Sequence, residues 1–597
     1  MLVAADAARK NLRLPLLWLP ACLLLIWCVG MFGRGYWTPD EPREADITWR
    51  MSWQASRAVP LLAGEAFCEK PPLTYWIAAL PVKLFGAQAW AARLPNLLYA
   101  LITALSVGLL AARSAGRFAG LVGAAAISTF LLSYQVAIWL ATDAPLLACV
   151  STALLGAYIG FYAATSDERL RGYLLMHVAL GLGFLCKSAV AWMVPALAIL
   201  TLSIWEKRWR ELLRWELYVG LAVQAAMILT WVWFVYAGAD GPAHLKVFFW
   251  NNLAGRFAAI DAPPELQYAA GHHNYPGKYL LELPLYLFPW TLLVLAAAGS
   301  AWRQRSKAVH VDRTVRFALA ASVPSIAVLS IAATARNVYL APALPGIALL
   351  VAAWARDLPQ NLDRWDVRAL RLTAALLLAA ALVMMAAAGL IGIDAWDGMA
   401  GRAGYIAISL LAAAAAVGLA IRAWAAARDR AAQALGLLLL AYCALLIGPA
   451  SQVYHQVDRW QDLAKISLAI KRDAVGRPLI LLAPDETTRA MIDMYTRDSV
   501  DRIPGPIDAA AIERVHAQAA AAPDSLFLVL LPQGARRFDL QSKRAPPSEE
   551  FSSEAALPWM QSAGLKFANS YSSPHGRRYA LLEPASTGSR STAGPND

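Results

Sequence analysis

The sequence predicts a mainly α-helical, polytopic membrane protein with a small α/β domain toward its carboxy-terminal end. Three observations carry that prediction. Of the 597 residues 59% are apolar and only 16% charged, which with a mean hydropathy of +0.46 lies far from the composition of soluble domains. Thirteen apolar runs are long enough, or nearly so, to cross a hydrocarbon core of about 30 Å. After Tyr454 these runs give way to short strand-like segments separated by helix-like ones.

In chain order the runs lie near residues 14–33, 94–112, 118–138, 144–163, 172–186, 188–205, 216–237, 279–301, 315–334, 337–354, 370–392, 404–421 and 432–450. The first follows Arg9, Lys10 and Arg13 as a signal peptide would. It is long enough to span and lacks an A-x-A-like cleavage site, so it reads as a retained anchor. The runs either side of Lys187 read as one long broken helix or two short ones, and the choice sets the orientation of everything downstream.

With a cytoplasmic amino terminus, the interior connections collect the basic residues, among them Lys207, Arg208, Arg210 and Arg214, and then Arg303, Arg305, Lys307, Arg313 and Arg316. The short exterior connections carry only Lys187, Arg336 and Arg402. This is the bias of the positive-inside rule, and it accounts for much of the net charge of +12 without a nucleic-acid partner. Many of the 23 tryptophans sit near the ends of runs, where an amphipathic ring occupies the headgroup layer among membrane lipids. The six cysteines are scattered and include no C-x-x-C pair, which argues against a disulfide framework or a thiolate metal site.

That topology divides the chain into a transmembrane domain, residues 1–450, with long exterior loops at 34–93 and 238–278, an exterior α/β domain at 451–584, and a disordered Ser/Thr/Gly-rich tail at 585–597. Within the first loop, residues 43–57 bring Ile47 and Met51 to one helical face beside Trp49 and Trp53, which predicts a helix lying in the membrane interface. In the exterior domain, strands are expected at 478–484, 525–532 and 577–584, and helices at 485–496 and 508–522.

Polar residues that could carry chemistry gather on the exterior face. They are Asp40, Glu41 and Arg43 in WTPDEPREADI, Glu69 and Lys70 in FCEKPP, Asp143 in ATDAPL, Lys187, Asn251 and Arg256 in WNNLAGRF, His272 and His273, and Arg336 to Tyr339 in ARNVYLAP. A carboxylate there can act as a base toward a hydroxyl, while Lys and Arg hold a departing phosphate. Each also has a structural reading. Thr38-x-x-Glu41 fits a capping box, Asp143 an N-cap, Lys70 a snorkelling side chain and Arg256 a lipid-phosphate contact. Adjacent His272 and His273 would diverge by about 100° on a helix and make a poor shared metal site. No metal is assigned, although a divalent ion remains compatible with the acids.

On WTPDEPREADI, FCEKPPLTYW and TDAPL, in that order, the chain resembles the membrane glycosyltransferases of the GT-C fold, in the bacterial branch that contains aminoarabinose transferase and relatives of the protein O-mannosyltransferases. The resemblance covers roughly residues 14–450. It implies that Asp40 is the principal catalytic carboxylate with Glu41 supporting it, that Asp143 is a second acid, and that Lys70 and Arg256, with Arg43, bind the donor phosphate. Glu69, Tyr339, His272 and Asn251 would line the substrate cavity. The chain departs from the aminoarabinose transferases at Asn251 and Asn252, where those tend to carry an acid and a histidine, and at Glu44 after Arg43.

The resulting expectation is a bacterial inner-membrane glycosyltransferase with its active site and carboxy-terminal domain in the periplasm. It would move a sugar from an undecaprenyl-phosphate-type polyprenyl carrier, with inversion, to lipid A, or alternatively to protein or another glycan. A transporter would instead place its ionisable residues at mid-bilayer, whereas here they gather at exterior ends.

Overall fold

The computed structural model describes residues 20–585 except 55–56, 254–274, 308–310, 332–335, 359–361, 396–398, 449–452, 456, 459–460, 497–499, 532–556 and 573–576. The chain divides into two units. The first comprises Met1–Arg34, Met51–Pro60 and Ala66–Gln456; the second comprises Gly35–Arg50, Leu61–Glu65 and Val457–Asp597. Two pieces of the expected first exterior loop therefore belong with the carboxy-terminal residues.

The first unit is helical and polytopic. Among the described residues eight helices are long and apolar enough to cross a membrane, from Ala89–Ala115 to Ala403–Ala426. Two further runs are bent pairs, Arg117–Thr129 with Leu131–Ile138 at 65° and Lys278–Tyr286 with Thr291–Arg303 at 111°. The other runs appear as the shorter helices Pro20–Met31, Val190–Trp205 and Ala431–Ile447, and Leu73–Phe85 adds a short apolar helix that the sequence reading had left inside a loop. Around Lys187 the chain forms two helices, Ser166–Lys187 and Val190–Trp205. Ser188, at φ 70°, breaks the continuity while its N–H donates to the Phe184 carbonyl at 2.7 Å.

Helix Asp143–Phe161 and helix Ser166–Lys187 approach through glycines. A Cβ on Gly172 would lie 2.3 Å from the Gly160 nitrogen, and one on Gly156 would lie 2.5 Å from the Met176 nitrogen. Small residues let backbones meet where lipid supplies no hydrophobic drive for helix association. Two buried arginines donate to carbonyls at helix ends, mostly from distant sequence. Arg34 donates to the carbonyls of Gly30 at 2.8 Å and Ile138 at 2.7 Å, and Arg93 to those of Met31 at 3.3 Å and Arg34 at 3.2 Å. Cations at helix carboxy termini complete orphan carbonyls and oppose the negative end of the dipole.

The second unit is α/β. Its hairpin pairs β1 (Leu61–Leu62) with β2 (Glu65–Ala66). Its main sheet contains β3 (Leu479–Leu482), β4 (Asp501–Ile503), β5 (Leu526–Leu530), β6 (Leu565–Ser572) and β7 (Arg578–Pro584) in the order β4-β3-β5-β7-β6. β3 is parallel to β4 and β5, whereas β7 runs antiparallel to β5 and β6. Alternation along the strands builds two cores. Ile480, Leu482, Phe527, Val529, Ala580 and Leu582 pack with Val515 of helix Ala509–Ala521. Leu481, Leu526, Leu528, Tyr579 and Leu581 pack with Ile470 and Ile492. The expected strands and helices match β3, β5, β7, Glu486–Thr496 and Ala509–Ala521. β4 and β6 were not foreseen, because one is three residues long and the other is solvent-facing along most of its length.

The interfacial helix expected at 43–57 is corrected. The helix runs Asp40–Met51, and its charged as well as its apolar residues are buried in protein, with Ile47, Asp46 and Met51 at 0% exposure. Trp53 lies beyond its end. The apolar pattern was real, but the polar face is covered by ion-pair partners from distant sequence instead of by headgroups.

Candidate functional site

In the second unit, Asp40 is the first residue of the Asp40–Met51 helix, where a carboxylate opposes the positive end of the dipole. The entry to this helix is tightly held. Trp37 N–H donates to Glu41 Oε2 at 2.8 Å, so fully buried Glu41 closes the turn in the manner of a capping-box glutamate. Thr38 does not complete that box, since its hydroxyl donates to Gln461 Oε1 at 2.5 Å. Asp458 Oδ1 accepts from Gly35 N–H at 2.6 Å and from the Trp37 indole at 3.0 Å, pinning the residues before the helix. Asp40 keeps partial exposure and faces Arg43 at 4.0 Å, and Arg43 also pairs with Glu486 at 2.7 Å. Glu41 thus closes the helix start, and Asp40 is the partly exposed acid of the two.

Deeper in this unit, Asp46 accepts both bonds of a fork from Arg50 Nε at 3.0 Å and one from Ala63 N–H at 2.6 Å. Arg50 also donates to Asp493 at 2.7 Å. Burial with two carboxylates on one guanidinium pushes Asp46 up to about 6 and raises Asp493 as well. A separate pair, Arg577 with Asp485 at 2.5 Å, is completed by Thr488 and Tyr579. Although burial alone would raise it, hydrogen bonds and charge from Arg577 hold Asp485 below the usual carboxylate range.

In the first unit, Asp143 opens helix Asp143–Phe161, is 6% exposed, and pairs with Lys187 Nζ at 2.5 Å. The ammonium also stands 5.2 Å from the centre of the Tyr339 ring. Lys187 ends its own helix, so the pair ties the start of one span to the end of the next. Asp143, Lys187 and Tyr339 form one cluster, drawn from three of the polar positions that the sequence places on the exterior face.

Also in the first unit, the Asn252 side chain donates to the Glu69 carbonyl at 2.6 Å, joining the FCEKPP segment to the π-helix Lys246–Leu253 that carries buried Asn251. Lys70 borders a small, partly open recess whose walls include Val59, Phe67, Trp231, His244 and Phe248. Its ammonium lies 6.0 Å from the Phe67 ring centre. Trp231 and Phe248 pack edge to face at 5.0 Å and with Phe67 give the wall an aromatic lining. Cys68 shares this recess, and burial pushes its thiol up to about 11, which leaves it protonated and poor as a nucleophile. Arg256 and His272 lie outside the described residues. Among the described residues no three His, Cys, Asp or Glu side chains are grouped to hold a metal ion.

The second unit therefore presents a partly exposed carboxylate at a helix start, and the first unit an acid–lysine–tyrosine cluster built on buried Asp143 and a lysine at an aromatic recess. A carboxylate so placed can orient a nucleophile, and a lysine so placed can stabilise an anionic group. Sequence reasoning missed Arg34 and Arg93, whose only signal was a cation beside a predicted span, and the partners in residues 458–493, for which there was none.

Residues 69–234 match the family described as dolichyl-phosphate-mannose-protein mannosyltransferase. The chain is 30% identical over 380 residues to an undecaprenyl phosphate-alpha-4-amino-4-deoxy-L-arabinose arabinosyl transferase of Pseudomonas paraeruginosa, and 31% identical over 345 residues to one of Pectobacterium carotovorum. The first match covers 61% of this chain and 63% of the relative, the second 57% and 59%, so the chain spans about three fifths of the length of these relatives. In architecture it is similar to the crystal structure of ArnT from Cupriavidus metallidurans in the apo state, with a TM-score of 0.70 at 18% identity over 97% of this chain and 99% of that one. The structure of the same protein bound to undecaprenyl phosphate gives 0.68 at 17% identity, with the same coverage. This polytopic membrane protein thus has the GT-C fold, and its resemblance is to the bacterial branch of aminoarabinose transferases and protein O-mannosyltransferase relatives.

Proposed function

We propose that this chain is an integral membrane glycosyltransferase that takes a sugar from a polyprenyl-phosphate carrier and transfers it, with inversion, to lipid A. The observation that carries the proposal is the 30% identity to transferases whose printed donor is undecaprenyl phosphate-alpha-4-amino-4-deoxy-L-arabinose, joined to a fold similar to ArnT over nearly the whole chain. In this reading Asp40 orients or deprotonates the acceptor from the amino end of its helix. A lipid A phosphate is already anionic at neutral pH, and toward it Asp40 orients. Lys70, beside its aromatic recess, and Arg256 neutralise the polyprenyl phosphate as it leaves. Asp143, held by Lys187, shapes the substrate cavity beside Tyr339. The basic interior connections favour a cytoplasmic amino terminus, with the site and the carboxy-terminal unit in the periplasm.

The test is transfer from undecaprenyl-phosphate-linked aminoarabinose to lipid A by purified protein. Asp40→Asn should lower turnover by about 10²- to 10⁴-fold, the range for removing a positioned acid–base group; full turnover in that variant would remove Asp40 from the mechanism. The match of residues 69–234 to a protein mannosyltransferase family supports a second acceptor class, protein. Mass spectrometry of lipid A and of surface proteins from cells with and without this chain separates the two.

A further inference from the structure

Helix Asp40–Met51 and helix Glu486–Thr496 carry complementary charges in one register. Arg43 pairs with Glu486 at 2.7 Å and Arg50 with Asp493 at 2.7 Å, and both pairs are separated by 443 residues. Asp46 and Arg489 stand at the same offset between them and interact electrostatically. The numbers rise together, so the helices run parallel, with R-D-R on one facing E-R-D on the other. At the amino end Thr487 donates its hydroxyl to the Pro39 carbonyl at 3.1 Å. The β1–β2 hairpin braces the middle, with Ala63 N–H on Asp46 and Glu65 pairing with both Arg489 at 2.5 Å and Arg502 of β4. All these groups belong to the second unit.

Burial grades along the ladder. Arg50, Asp46 and Asp493 side chains are 8%, 0% and 6% exposed, whereas Glu486 is 45% exposed. The helix is therefore clamped hardest at its carboxy end and held more lightly where Asp40 and Arg43 emerge. A helix is a rigid rod of about 1.5 Å per residue, so fixing register and rotation at Arg50 fixes Asp40 about 15 Å away. Ion pairs suit this task better than apolar contacts, because a slip of one helical turn would bring Arg43 to Arg489 or Asp46 to Asp493, like charge to like charge.

We propose that helix Glu486–Thr496 is a positioning splint for the Asp40 helix, with Asp493 and Glu486 as positioning residues for transfer. This assigns the carboxy-terminal α/β unit a direct part in the reaction, and it rests on the reading of Asp40 as the reacting carboxylate. None of the splint residues need touch substrate. Their effect is exerted through the angle and register of one helix, to which catalysis is sensitive because displacing a reacting group by about 1 Å can cost about 100-fold in rate.

The experiment uses the full chain in nanodiscs and compares wild type with Asp493→Asn, Asp493→Glu, Arg50→Gln, the double variant Arg50→Gln/Asp493→Asn, and Glu486→Gln. Two readouts are taken: hydrogen exchange of amides 40–51, and kcat and KM with undecaprenyl-phosphate-linked aminoarabinose and lipid A. Asp493→Asn should accelerate exchange in 40–51 and lower kcat about tenfold with donor KM unchanged; the double variant should be no worse than either single, and Asp493→Glu should recover part of the loss. Unchanged exchange, faster exchange with undiminished kcat, or additive losses would each overturn the splint. If the buried variants fail to fold, Glu486→Gln decides, since its rung is half open to solvent: faster exchange at 40–43 supports the proposal and unchanged exchange defeats it. Full turnover in Asp40→Asn would instead sink the underlying reading, while exchange would still judge the splint.

Discussion

Removing Lys187 should be far more damaging than removing the whole Lys187–Asp143 pair. At 2.5 Å the two charges attract by about 7 kcal/mol if the effective dielectric is about 20. Each ion, however, loses several kcal/mol of hydration on burial, so the pair sits near balance. Lys187→Met takes away the cation and its contact with Tyr339 while leaving Asp143 only 8% exposed on its side chain. An uncompensated buried carboxylate costs about 3–5 kcal/mol. Lys187→Met/Asp143→Leu removes both charges and keeps the volume, and should fall within about 1 kcal/mol of wild type. Unfolding of the four proteins in detergent, read as a double-mutant cycle, measures the coupling. Additive losses would refute the view that the pair is a balanced unit. Transfer activity in the stable double variant then separates the two readings of Asp143: retained turnover leaves it a structural tie between spans, and lost turnover with retained stability makes it part of the site.

Four further outcomes follow from the geometry. Lys70→Ala should raise the donor concentration needed for half-maximal rate by about 10- to 100-fold, the worth of a charge-assisted contact to phosphate; unchanged donor dependence in steady-state kinetics would make Lys70 a snorkelling side chain. The second unit should gain stability as pH falls, because Asp46 has a folded-state pKa of about 6 against an ordinary 3.8. That contribution, about 3 kcal/mol, is complete below about pH 4 and lost as pH rises through about 6, so Asp46→Asn should flatten the melting profile in that window. Asp485 is shifted downward and acts in the opposite sense, its contribution fading only as pH falls below its ordinary range; Arg577→Met should abolish that low-pH limb, as read by acid unfolding. Gly172→Ala should cost about 1–3 kcal/mol through overpacking against the Gly160 backbone, seen as a lowered Tm of the purified protein.

Most of the membrane unit was legible because a bilayer imposes a length on every span, and thirteen apolar runs found helices near their expected bounds. The bends are not given by run length: the 111° break between Tyr286 and Thr291 falls inside one apolar run, and Pro289 within it is the local signal that marks the place. In the α/β unit, alternating strands such as β5 and β7 announced themselves, whereas β6 has mostly polar, exposed residues and offers no period to read. Asp40 was legible as an acid out of place beside a membrane. Its helix was misplaced into the headgroup layer because Arg43, Asp46 and Arg50 look like a solvated face until Glu486, Arg489 and Asp493 are known to cover it. Sequence spacing reports neighbours within a helix, and no local pattern reports a partner 443 residues away.

That separation also has a temporal side. Ribosomes add about 5–20 residues per second, so the Asp40 helix emerges roughly 20–90 s before Asp493 exists to meet it. Until then a nascent chain holds Asp46 and Arg50 without their distant counterparts, and contacts of such sequence separation are slow to close. The helix that begins at Asp40 is consequently among the first to be synthesised and among the last to be seated. A chain that stalls between residues 450 and 486 carries the described spans yet lacks Glu486, Arg489 and Asp493, and so leaves Arg43, Asp46 and Arg50 without these partners.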